Sequence, residues 1–406
     1  MNWDYLAEDQ SQHYFAAWLQ LLMKKSPALP LKLAKHHRRE DVDATEVSKF
    51  SNGAYNICCT VTFEDGFRVI VRFPILGRSR FRTEKSRNEV LMMLYLYDNT
   101  NVPVPRVLGA GNWDLICSLS LDPTISGSDI EHAFRGMAHV LLELSKPVFP
   151  YIGAITEESW MWKVGGRALS LNMNELVSEL AERYLLHLEY QRNDAVDDEP
   201  DCRKRYIARC LFRKITRQIP LEESGPFHLY CDDLRPPNVL VSDSEPNITI
   251  NSVIDWDYTY TAPVEFTQAA PWWLLFESPE DWESDLNEFL LRYMPRLEFF
   301  LNILRSCEDE QIKMHTMEED HRLSNKMAES MENGNSWFCL AARKGFMFDD
   351  IYWAFLDQRY FGEGSLEDRI SLLSQEELEE LERLVPLKMQ QAKENTLEEH
   401  LSYDEM

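Results

Sequence analysis

Residues 231–238 read Cys-Asp-Asp-Leu-Arg-Pro-Pro-Asn, and seventeen residues beyond Asn238 stands Asp255, at the centre of Val-Ile-Asp-Trp-Asp. An Asp, an Asn five residues later and another Asp after a short hairpin are the residue types and spacing that phosphoryl transfer needs. That reaction brings two electron-rich partners together. Metal ions must neutralise the phosphates while a side chain holds the acceptor hydroxyl or amine in line. The first Asp serves the acceptor, and the Asn and the later Asp hold Mg, a hard cation suited to amide and carboxylate oxygens. Asp233 lies five residues before Asn238 and Asp232 six, so Asp233 is the candidate base. An isolated Asp-x4-Asn also arises in Pro-rich turns whose side chains bond their own backbone. The second acid at hairpin distance sets this pair apart.

The elements that must position these groups are readable. Residues 239–241 and 248–250, separated by Ser-Asp-Ser-Glu-Pro-Asn, form the hairpin between Asn238 and Asp255. Upstream, residues 56–63 and 67–73 flank Glu-Asp-Gly, a second hairpin. Period-2 alternation puts Ile70 and Arg72 on one face of its second strand. In the Val-x-x-cation pattern of kinases those positions meet the adenine and the phosphates. Arg grips phosphate as a fork and is no simple replacement for the usual Lys; a solvated strand residue is the other reading of Arg72. Gly53, in Ser-Asn-Gly-Ala-Tyr-Asn, stands where kinases place a phosphate-covering turn, and an ordinary tight turn fits it equally. A helix is expected over 83–97. Residues 101–106 should lead into an extended edge strand because of their two prolines.

The stretch around Asp233 resembles the catalytic loop of the aminoglycoside phosphotransferase family, small-molecule kinases that share the protein-kinase-like fold. The family pattern is approximately His-Gly-Asp-Leu-His-Pro-x-Asn-Ile-Leu-Val followed by Val-Ile-Asp-Trp-Glu. The form with Cys-Asp-Asp-Leu-Arg-Pro-x-Asn and a later Ala-Pro-Trp-Trp-Leu-Leu (270–275) is similar to a fungal-type branch. The likeness runs over roughly 48–356 and is best over 205–276. Cys231 and Arg235 stand where the family usually has His. The resemblance implies a bilobal α+β fold: a small antiparallel-sheet lobe (48–125), a larger mainly helical lobe (126–385) containing the catalytic loop, an N-terminal helical extension (1–47) and an acidic tail (386–406). It implies ATP and Mg as cofactors, and transfer to a hydroxyl or amine of a small molecule. Glu89 becomes the partner of Arg72, with Glu84 as the fallback. The connector at 111–126 is shorter than the family's and lacks its acidic, Gly-containing hinge, which leaves the backbone of 115–121 to meet the adenine. A catalytically dead scaffold with the same fold is the contrasting reading. A protein kinase is a third, although no Ala-Pro-Glu signature follows Asp255.

Composition restricts the alternatives. The chain has 406 residues, 44% of them hydrophobic and 12% aromatic, enough for two packed lobes. No apolar run reaches the ~18 residues of a membrane span, and the start lacks a signal-peptide pattern. Eight Cys without Cys-x-x-Cys spacing indicate neither a disulfide framework nor a zinc site. A cytoplasmic location is the expectation. Net charge is −26, from 68 acidic and 42 basic residues. Such a surface repels phosphate backbones and anionic lipid, so neither nucleic acid nor membrane is expected as a partner. A small-molecule substrate, cationic or neutral, is expected instead, with no obligate protein partner. Helices are also expected over 128–146, 174–191, 202–218, 286–304 and 322–331, with another starting at the capping box of Ser374. Trp272, Trp273, Phe276 and Trp282 read as core, part of which can wall an acceptor pocket.

Overall fold

The computed structural model describes residues 4–26, 28–38, 40–53, 55–78, 82–108, 127–158, 161–165, 173–217, 226–242, 248–277, 282 and 285–397. The chain begins with helices α1 (Tyr5–Lys25) and α2 (Ala28–His37). A four-stranded antiparallel sheet follows, made of β1 (Ala44–Val47), β2 (Ser51–Asn52), β3 (Asn56–Phe63) and β4 (Arg68–Pro74). β3 is the hub, pairing with all three others. Residues 44–47, the end of the expected N-terminal helical extension, are thus a strand: they lie alongside 61–63 and extend the sheet.

The β3–β4 hairpin has the anticipated register, from Asn56 opposite Pro74 to Thr62 opposite Arg68. Gly66 turns it with φ +81°, a conformation costly for any residue with a Cβ. Alternation sorts the faces. Ile57, Cys59, Val61 and Phe63 of β3 and Val69, Val71 and Phe73 of β4 bury against Trp18 and Leu22 of α1 and Ala34 of α2. Ile70 and Arg72 are on the opposite face.

Helix α3 (Arg82–Asn99) crosses between lobes. Its Met92, Met93, Tyr95 and Leu96 belong to the large-lobe core rather than to the sheet's. The segment after it, 101–108, is not itself a strand, and the positions beyond 108 into which it leads lie outside the described residues. It makes a single ladder-like bond, Val253 N–H donating to Pro103 O at 2.7 Å, since prolines at 103 and 105 have no N–H to return. The connector stretch expected to meet the adenine, 115–121, lies outside the described residues.

The large lobe comprises α4 (Gly127–Ser145), the hairpin β5 (Ala154–Glu158) and β6 (Met161–Gly165), α5 (Met173–Tyr190) and α6 (Glu199–Thr216). Then come β7 (Phe227–Cys231), β8 (Val239–Ser242), β9 (Thr249–Val253), β10 (Thr259–Pro263) and α7 (Val264–Thr267). The chain finishes with α8 (Leu286–Lys313), α9 (Leu323–Glu332), α10 (Asn335–Arg343), α11 (Phe348–Ile351), α12 (Asp357–Phe361), α13 (Leu366–Ile370) and α14 (Gln375–Glu394). The α+β arrangement, a small sheet lobe beside a helical one, is the one the sequence implied. Trp272, Trp273 and Trp282 are buried in the core and Phe276 packs against it. Ser374 and Glu377 cap α14 reciprocally. That helix continues through 385, where the tail was expected to begin, because Lys388 buries its stem and donates to Glu189 O and Gln191 O.

Candidate active site

Two short ladders aim the chemistry. β7 pairs with β10, Cys231 opposite Thr259, and β8 pairs with β9, Val239 opposite Val253. The loop 232–238 leaves one ladder and enters the other, and so does 254–258 in the reverse direction. The two loops are stitched at both ends: Ile254 N–H donates to Asn238 O at 2.9 Å and Asp232 N–H to Tyr258 O at 3.1 Å. Residues far apart in sequence thereby face one another.

Within the loop, Asn238 donates through Nδ2 to Asp233 O (2.8 Å) and to Asp233 Oδ2 (3.1 Å). That fixes the Asp233 carboxylate and leaves Asn238 Oδ1 as the end that can face a cation. Arg235 Nε stands 2.8 Å from Asp233 Oδ1. Burial raises the Asp233 carboxyl above the usual aspartate value, Arg235 pulls it back and Asp255 adds to the rise. The neighbouring Asp232 is engaged differently. Its Oδ1 accepts from Arg343 Nη1 at 2.8 Å and its Oδ2 from the Tyr260 hydroxyl at 3.2 Å. Asp233 thus meets Asn238, whereas Asp232 is the counter-ion of a buried arginine. Cys231, where a His is usual in the resembling family, is buried and its thiol is pushed up to about 12, chiefly by that burial.

The opposing wall comes from the small lobe. Arg72 is buried and reaches across from β4. Its Nη1 pairs with Glu89 of α3, and its Nη2 lies 3.4 Å from Asp255 Oδ1 and 3.5 Å from Asp257 Oδ2. Burial pushes the Glu89 carboxyl upward, against the attraction of Arg72. Glu84, the fallback, is exposed. Ile70 is half-buried one pleat away on the Arg72 face. Gly53 closes the β2–β3 turn, donating to Asn56 O at 2.8 Å, and a Cβ there would come within 3.2 Å of that oxygen.

Asp255 has φ +63°, a left-handed conformation that costs an L-residue roughly 1–3 kcal/mol. It keeps 30% of its side chain exposed, whereas Asp257 keeps 1%. Carboxylate oxygens of Glu89, Asp255 and Asp257 all lie within 4.8 Å of one another. Buried Asp257 Oδ1 has no hydrogen-bond partner. A crowd of carboxylates around one orphaned oxygen fits a hard divalent cation. Asp257 belongs to the same cluster as Asp255.

Sequence reasoning missed Lys85. Its Nζ is 2.8 Å from Asp257 Oδ2 and lies over the rings of Tyr55 (4.2 Å) and Tyr258 (5.3 Å). Burial lowers its affinity for a proton, but Asp257, with Tyr258 and Asp255 adding to it, raises it, and the net shift is upward. The signal was present: Lys85 precedes Glu89 by four residues, one helical turn on the same face. Arg343 and Lys344 were also missed. Nothing local marks them, because their partners lie more than a hundred residues earlier.

No family model matches the sequence, and no curated protein matches it. Among solved structures, an ethanolamine kinase of Plasmodium vivax is similar at 13% identity, covering 98% of this chain and 95% of that one, with TM-score 0.46. A choline kinase of Cryptosporidium parvum is similar at 12% identity, covering 90% and 99%, with TM-score 0.44. The GDP complex of an aminoglycoside 2'-phosphotransferase is similar at 13% identity, covering 89% and 99%, with TM-score 0.45.

Proposed function

We propose that this chain transfers the γ-phosphoryl group of ATP to a hydroxyl of a small molecule. The observation that carries the proposal is the Asp233–Asn238 pair of one loop, with the Asp255 charge acting on Asp233, beside a turn whose Asp255 and Asp257 meet Arg72 and its partner Glu89. Asp255, Asp257 and Asn238 Oδ1 would hold Mg, which when bound supplies charge neutralisation for the phosphates. Lys85 and Arg72 bring positive charge to the same place, Lys85 being the point charge nearer solvent. Asp233, ionised, accepts the acceptor proton as the new O–P bond forms and the bond between γ-phosphorus and the bridging oxygen breaks, leaving ADP. Gly53 and Ile70 would border the nucleotide.

One observation favours a second reading, nucleotide binding without transfer. The Arg72 guanidinium is already shared among three carboxylates, which leaves phosphate contact to Lys85. The readings part on Asp233→Asn, assayed with ATP, Mg and a metabolite panel. Loss of labelled product with the melting temperature unchanged supports transfer. Product formation equal to wild type would remove Asp233 from the chemistry. Asp232→Asn is expected to lower the melting temperature instead, since it weakens the only carboxylate partner of buried Arg343 among the described residues.

A further inference from the structure

Around the loop 232–238 three cations meet two aspartates: Arg235, Arg343 and Lys344 against Asp232 and Asp233. Arg343 is fully employed. It is buried, bonds Asp232 and the Tyr230 hydroxyl, and lies over the Tyr230 ring at 4.5 Å. Lys344, the next residue, is not. Its ammonium donates one hydrogen bond, to Asp232 O at 3.0 Å, and rests over the Trp272 ring at 5.0 Å. Both Asp232 oxygens are taken by Arg343 and Tyr260, so no carboxylate among the described residues pairs with Lys344. Arg235 Nε stands 2.8 Å from Asp233 Oδ1, and that buried Nε donates no well-formed hydrogen bond.

A largely buried ammonium with two idle N–H groups is costly, and an anion is what relieves it. The electrostatics agree: burial lowers the Lys344 amine below its ordinary value, with Arg343 adding to the fall and Asp232 opposing it. A cationic acceptor would meet repulsion here, despite the net charge of −26 on the whole chain. We infer that the acceptor is a hydroxylated acid, in which a carboxylate or comparable oxyanion binds Lys344 and Arg235 while its hydroxyl is presented to Asp233. The inference rests on the phosphoryl-transfer reading above and adds the chemical class of the acceptor. Lys344 acts by holding the substrate, so its loss should appear in KM more than in kcat.

The test uses the full chain with Mg and γ-labelled ATP. A metabolite extract is split by ion exchange into anionic, neutral and cationic fractions, and nucleotide binding is followed separately by the thermal shift with ATP and Mg. Labelled product is expected in the anionic fraction. Lys344→Met is expected to raise the acceptor KM on the order of tenfold or more, with no loss of melting temperature because it removes an unpaired buried charge. Lys344→Arg, which keeps the charge, should recover part of the affinity. Product confined to the neutral or cationic fraction, with the ATP shift intact, overturns the acidic acceptor and leaves the kinase reading standing. Equal KM values for wild type and Lys344→Met on an anionic acceptor overturn the role of Lys344. Absence of both the ATP shift and labelled product overturns the kinase reading and this inference together.

Discussion

As the base of the proposed transfer, Asp233 would work only as an anion, and its surroundings make that form harder to reach. Burial and Asp255 raise its carboxyl while Arg235 lowers it. A base with a raised value loses activity as pH falls through that value, so the acid limb of kcat/KM should lie above the ~4 of an ordinary aspartate. Arg235→Gln removes the lowering influence and should move the limb to still higher pH. A limb that stays put, or moves down, would show that the titration belongs to another group. The contact of Asp233, rather than Asp232, with Asn238 was legible from a five-residue spacing. The occupation of Asp232 was not, since Arg343 lies 111 residues downstream and only the tertiary fold brings it there. Arg72 and Glu89 were legible for the opposite reason: strand alternation and helical position each specify a face, and here the two faces meet.

At the scale of elements, the short turn 254–258 bears most of the geometry. Trp256 sits between the two clustered aspartates, is buried, and donates from Nε1 to Val253 O at 2.9 Å. It anchors a turn whose first acid is held left-handed. Trp256→Ala should cost about 3–5 kcal/mol by opening a cavity. It should also weaken Mg-dependent ATP binding out of proportion to that loss, because both flanking carboxylates lose their anchor. Denaturant melts paired with nucleotide titrations would decide, and ATP binding equal to wild type in the folded fraction would refute the anchoring role. Elements with local signals were readable, namely the Glu-Asp-Gly hairpin, the capped start of α14 and the amphipathic stretch of α4. β1 was not, since residues 44–47 have one face against β3 and little hydrophobic alternation of their own. The edge strand into which 101–106 should lead falls at positions outside the described residues, and over 101–108 the two prolines remove donors a ladder needs.

On the scale of the molecule, α1 belongs to both lobes. Trp18 and Leu22 pack into the small-lobe core, and Ser11 donates to Gly77 O at 2.9 Å. Its first turn is fastened to the large lobe: Tyr5 N–H donates to Asp194 Oδ2 (3.2 Å), Asn193 Nδ2 to Asp4 Oδ2 (3.0 Å) and Asn395 Nδ2 to the Tyr5 hydroxyl (2.7 Å). The apolar attachment is the stronger one, as exposed polar bonds contribute only about 0.5–1.5 kcal/mol each. Opening the cleft must therefore detach the first turn before it disturbs Trp18. The double change Asp194→Ala with Asn395→Ala should speed ADP release and increase amide exchange at residues 5–8 without altering the core melt. Release at the wild-type rate would mean that the fastening does not restrain the lobes. If it does, the start of the chain is a lever, and any domain, tag or binding protein that pulls on the residues ahead of Asp4 sets how readily the lobes part as well as where the protein is held.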